Sequence, residues 1–176
     1  ATQPLAVVVD TRRAQTLASY TGDPAAQSVS PDPAAALDEP GARVVYGPLA
    51  YSRYQNGNTY FPDKPAWNTR VHVQNLSATT AAKVKLWVLD RSGDAWTTFV
   101  EWICPRGAVV FDLGKIEPVG FGWADSVRVE SQEWVVPGQR AVAPPISAVA
   151  EQVRVPRADE PSGTPSEAFA YRLLSE

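Results

Sequence analysis

One histidine, His72, and one cysteine, Cys104, are all that the 176 residues offer of the two side chains most used as metal ligands. Zinc needs about four such ligands, and a Ser-His or Cys-His couple needs its base beside a nucleophile on a recognisable turn. His72 instead stands in an alternating run between Arg70 and Gln74. The sequence therefore reads as a non-enzyme with no metal and no cofactor. A lone cysteine closes no internal disulfide, so Cys104 is expected as a small buried apolar residue. Methionine is absent and the chain begins at Ala1, which fits removal of a signal peptide or trimming of a longer precursor. Basic runs are missing too: 16 Lys and Arg against 19 Asp and Glu give a net charge of −3, with no footprint for nucleic acid or an anionic membrane. No stretch reaches the roughly 18 to 20 apolar residues that a membrane-crossing helix needs.

What the chain has instead is punctuation. Sixteen prolines and 11 glycines interrupt a 44% hydrophobic composition so often that short strands are expected rather than long helices. The two ends echo each other. Pro4-Leu5-Ala6-Val7-Val8-Val9-Asp10 precedes Leu17-Ala18-Ser19-Tyr20, and Pro145-Ile146-Ser147-Ala148-Val149-Ala150-Glu151 precedes Phe169-Ala170-Tyr171. Each reads as an apolar strand, a polar break and a second short strand.

Residues 1–21 are read as an apolar β-arm, a hairpin or a single bent strand, with Leu5, Val7, Val8, Val9, Leu17 and Tyr20 as its docking residues. Residues 22–42, with Pro24, Pro31, Pro33 and Pro40 among alanines and aspartates, read as an extended linker. At roughly 3.1 Å per residue such a tether reaches on the order of 60 Å, past the domain that carries it.

Residues 43–176 read as one domain of seven or more short strands. Val71 and Val73 alternate with Arg70, His72 and Gln74, while Val84, Leu86 and Val88 alternate with Lys83, Lys85, Trp87 and Leu89. Asp90-Arg91-Ser92-Gly93-Asp94 reads as a hairpin turn, and Ile146 to Val155 with Glu167 to Leu174 as the closing strand pair. The pattern predicts an all-β antiparallel sandwich, with a closed barrel as the alternative. Trp87, opposite an apolar face, calls for a cover, for which the arm is a candidate.

Trp67 to Leu76, Val84 to Leu89, the turn Asp90 to Gly93, Gly107-Ala108-Val109-Val110-Phe111-Asp112-Leu113 and Val127 to Gln132 together resemble repeat domains of secreted bacterial surface proteins. The resemblance covers residues 44–155 and implies an immunoglobulin-like β-sandwich, often present in tandem. Gln3-Pro4-Leu5-Ala6-Val7 matches the entry of those repeats into their last hairpin, whereas Ser131-Gln132-Glu133-Trp134 departs from it. The arm thus looks like the last strand of a preceding repeat. The chain is either a slice of a tandem array or a subunit whose arm docks on the next copy, in a layout similar to donor-strand filaments.

Two further features carry candidate chemistry. Tyr46, Tyr51, Tyr54, Tyr60 and Trp67 gather around a loop containing Asn56, Asn58 and Asp63, where an aromatic platform would stack on a sugar ring; core or subunit contact is the plainer explanation. Asn75-Leu76-Ser77 is a sequon, making Asn75 a candidate glycosylation site. The expectation is a secreted or cell-surface bacterial structural protein that polymerises with copies of itself. The alternative is a carbohydrate-binding or adhesive module with a glycan ligand.

Overall fold

In the computed structural model the described residues are 8–13, 16–21, 42–55, 66–135, 141–155 and 168–175. Strands β1 (Val8–Arg13) and β2 (Thr16–Thr21) form an antiparallel hairpin, which settles the shape of the arm within these residues. There follow β3 (Val44–Ser52), β4 (Ala66–Asn75), β5 (Ala82–Leu89), β6 (Ala95–Ile103) and β7 (Ala108–Asp112). After two 3₁₀ turns come β8 (Trp123–Gln132), the short β9 (Trp134–Val135) and β10 (Ala141–Val142), β11 (Ile146–Val155), β12 (Ala168–Arg172) and β13 (Leu174–Ser175).

Besides the two-stranded pairs β1-β2 and β10-β9, the described residues form two larger antiparallel sheets, one ordered β12-β11-β4-β7 and the other β13-β3-β8-β5-β6. Each keeps its own edge strands, so the domain is a β-sandwich and not a closed barrel. Alternation decides what lies between the layers. Val71 and Val73 of β4, with Ala148 and Ala150 of β11, face Val84, Leu86 and Val88 of β5 and Val127 and Val129 of β8. Leu113, Val119 and Leu173 join the same core from the connections. Each such valine or leucine contributes roughly 1.5 to 3 kcal/mol by leaving water. Pairing begins one residue before the expected domain start, because the Ala42 carbonyl accepts the Ile146 N–H at 2.8 Å.

The Asp90 turn forms as its sequence requires. The Oδ1 of Asp90 accepts the N–H groups of Ser92 and Asp94 at 2.9 and 3.0 Å, and Gly93 takes the left-handed φ of 87° that disfavours a side chain. Cys104 corrects an expectation: it is exposed. Ile103 takes the inward place at the end of β6, and the next residue turns outward, leaving its carbonyl to accept the Gly107 N–H at 2.9 Å.

Candidate assembly site: two equivalent hairpins

Chain ends that echo each other in sequence also pair alike in space. In the first hairpin Val9 faces Tyr20, Asp10 faces Ser19 and Val8 faces Thr21. In the closing hairpin Ala150 faces Tyr171, Glu151 faces Ala170 and Val149 faces Arg172. Aligning Pro4 with Pro145 and Tyr20 with Tyr171 superimposes these pairs one for one. β1 is therefore the counterpart of β11, and β2 of β12.

Their surroundings differ. On its second edge β11 pairs with β4 from Ile146 opposite Asn75 to Val155 opposite Ala66. Among the described residues β1 pairs with β2 alone, and β2 lies beside β12. Among the described residues the second edge of the arm strand has no partner, where its counterpart is locked. β4 has no vacancy for it, since β11 and β7 occupy both sides. Of the expected docking residues, Val8 and Val9 lie in β1 and Leu17 and Tyr20 in β2, while Leu5 and Val7 fall outside the described residues.

Only part of the expected aromatic group comes together. Tyr51 and Tyr54 stack with centroids 5.0 Å apart, and Tyr54 and Trp67 exchange backbone hydrogen bonds of 3.0 and 2.8 Å. Tyr46 is separated from them along β3 by an irregularity between Gly47 and Ala50, and stands opposite Arg128 and Leu174. Tyr60 lies outside the described residues. Beyond the irregularity β3 leans on the other sheet: the Tyr51 N–H donates to Thr69 Oγ1 at 2.8 Å, and the Leu49 carbonyl accepts Gln152 Nε2 at 2.9 Å and the Tyr171 hydroxyl. Burial pushes the pKa of Tyr171 up, and burial followed by the nearness of Tyr54 does the same to Tyr51. Sequence reasoning missed Phe121, whose exposed ring lies 3.8 Å below the Arg53 guanidinium.

Asn75 is fully buried. Its Nδ2 reaches the carbonyls of Thr80, Ile103 and Cys104 at 2.8, 3.2 and 3.2 Å, and its Oδ1 accepts the Ser77 N–H at 3.0 Å. A glycan on that nitrogen would displace these bonds inside the core, so the candidate glycosylation does not fit the folded domain. Trp87 needs no arm to cover it. Lys85 Nζ lies 3.6 Å over its ring, Arg128 approaches at 5.2 Å, and its indole N–H donates to Glu130 at 3.0 Å.

His72 belongs to a surface ion network on the outer face of the four-stranded sheet. Its Nε2 lies 3.2 Å from Glu151, which also meets Arg70 at 3.6 Å, and Arg70 reaches Asp112 at 3.4 Å. Alternation put Arg70 and His72 on that face, but their carboxylate partners come from strands remote in sequence. Among the described residues no group of three or more His, Cys, Asp or Glu is placed to hold a metal ion.

No family model and no curated protein matches the chain. A solved structure, the crystal structure of Thermotoga maritima 1070, superposes with a TM-score of 0.54 at 15% sequence identity, covering 77% of this chain and 96% of that one. At that identity the likeness is one of fold alone.

Proposed function

We propose that the protein is an extracellular structural subunit, secreted or held at a bacterial cell surface, whose copies join head to tail through the hairpin β1–β2. The observation that carries this reading is the shared register of β1–β2 and β11–β12. A strand pair that duplicates the fold's own closing pair, with one edge unpaired among the described residues, is suited to extending a sheet in a neighbour. An immunoglobulin-like ancestry in tandem surface repeats belongs to the same reading, which gives the protein no catalytic role. Burying Leu5, Val7, Val9, Leu17 and Tyr20 on docking would contribute about 8 to 15 kcal/mol gross, against an association cost of similar order, so backbone bonds across the joint decide the balance. Electron microscopy and light scattering of the full chain beside one lacking residues 1–21 test the proposal. Filaments from the first and monomers from the second are expected; monomers from both would sink it.

A carbohydrate-binding module is the second reading. It draws on Phe121, 58% exposed beneath the Arg53 guanidinium, and on the Tyr51–Tyr54 stack. Glycan binding that survives loss of residues 1–21 and disappears in Phe121→Ala would favour it.

A further inference from the structure

The arm edge that is unpaired among the described residues needs a receiving edge, and β4 is closed to it. Among the described residues the longest open one is β6, nine residues at the end of the five-stranded sheet. Natural edge strands are usually blunted by lysine, proline or inward charges. β6 has no lysine or proline, and its single charge, Glu101, stands opposite Val84 on the core-facing side of the strand. Trp96, Val100 and Trp102 are 63%, 46% and 54% exposed. Trp134 stands edge-on to Trp102 at a centroid distance of 5.0 Å and extends the apolar strip.

The arm lies at the other side of the sandwich. In the four-stranded sheet β12 and β7 are opposite edges; β2 lies beside β12, whereas β6 adjoins β7. β1 carries Asp10, Arg12 and Arg13, a net charge of +1 (two Arg less one Asp), against the single negative charge of β6.

We propose that β6 is the receiving edge: β1 of a second copy adds to it and extends the five-stranded sheet by one strand. This rests on the assembly reading above. Two unlike elements on opposite sides make a heterologous joint that repeats without closing. Main-chain hydrogen bonds supply affinity, while the apolar strip and the Arg–Glu complementarity favour this partner over a β6-to-β6 pairing, which would bring two Glu101 carboxylates to one joint.

Cys104, exposed and one residue past β6, provides a natural probe. Full chains of two nitrogen isotopes, labelled at Cys104 with a photoactivatable maleimide, are mixed, assembled and irradiated. Mixed-isotope cross-links from Cys104 to tryptic peptides ending at Arg12 or Arg13 are expected. Links to residues 95–103 of a second copy, links elsewhere, or filaments without intermolecular links would overturn the proposal. The single variant Val100→Lys alters one exposed side chain and leaves the Trp102–Trp134 contact in place. It should keep the parent circular dichroism and melting temperature yet raise the critical assembly concentration at least about tenfold. Assembly unchanged in that variant but lost on deleting residues 1–21 would overturn β6 as the receiver while leaving arm-driven assembly standing. Assembly indifferent to the deletion would overturn both.

Discussion

The two hairpins share a register and differ in what lies beyond them. β11 buries Ile146, Ala148, Ala150 and Gln152 and is held by β4 along its whole length, whereas among the described residues β1 pairs with β2 alone. Cross-strand register is set locally by side-chain pattern. A two-stranded hairpin alone is marginal in water, so stability comes from the third strand and the covered face. The same pattern therefore serves as structure at one end of the chain and as a candidate joint at the other.

Deletion sharpens this contrast most. Without residues 145–176 the sandwich loses the partner of β4 and part of its core, and no cooperative thermal transition is expected by circular dichroism. Without residues 1–21 the domain should melt within roughly 2 °C of the parent. A fall of about 10 °C or more in the second case would make the first hairpin part of the domain and break the comparison.

Single residues at equivalent places come next. Ala150→Asp puts an unpaired carboxylate at a fully buried site and should cost about 3 kcal/mol or more in denaturant unfolding. Val9→Asp, at the matching place in β1, should cost roughly 0.5 kcal/mol or less in the domain while weakening assembly. Equal costs would mean that β1 is as firmly packed as β11.

The elements of this comparison were largely legible in sequence because period-two alternation is a local signal. Val71 with Val73, and Val84 with Leu86 and Val88, gave the core faces directly, and the echo of Pro4 to Asp10 in Pro145 to Glu151 gave the duplicated hairpin. What depended on distant strands was not legible. Glu151 reaches Arg70 and His72 across the sheet, and the irregularity at Pro48-Leu49 parts Tyr46 from Tyr51. Asn75-Leu76-Ser77 spells both a sequon and a side-chain-stabilised turn, and only the burial of Asn75 decides for the turn.

A smaller effect separates the paired tyrosines. Tyr171→Phe removes the hydrogen bond to the Leu49 carbonyl, which also holds Gln152, and should cost about 1 kcal/mol. Tyr20→Phe should leave the melting temperature of the sandwich unchanged, and an equal loss in both would argue that β2 is packed as β12 is.

The smallest and most specific effect is on pH dependence. Burial raises the pKa of Tyr171 above its ordinary value, so the unfolded chain releases that proton at lower pH than the folded one. Its contribution is complete below the unfolded value, roughly pH 10, and declines as pH rises from there through the folded value. Tyr51, raised by burial and by Tyr54, acts in the same direction. Melting temperatures at about pH 8, 9.5 and 11 should therefore fall toward the alkaline end in the parent, fall less steeply in Tyr171→Phe, and follow the parent in Tyr20→Phe. Identical alkaline slopes for parent and Tyr171→Phe would show that the hydroxyl in the closing hairpin is as free to ionise as in the unfolded chain, and the two hairpins would then be alike in the one respect that packing should distinguish.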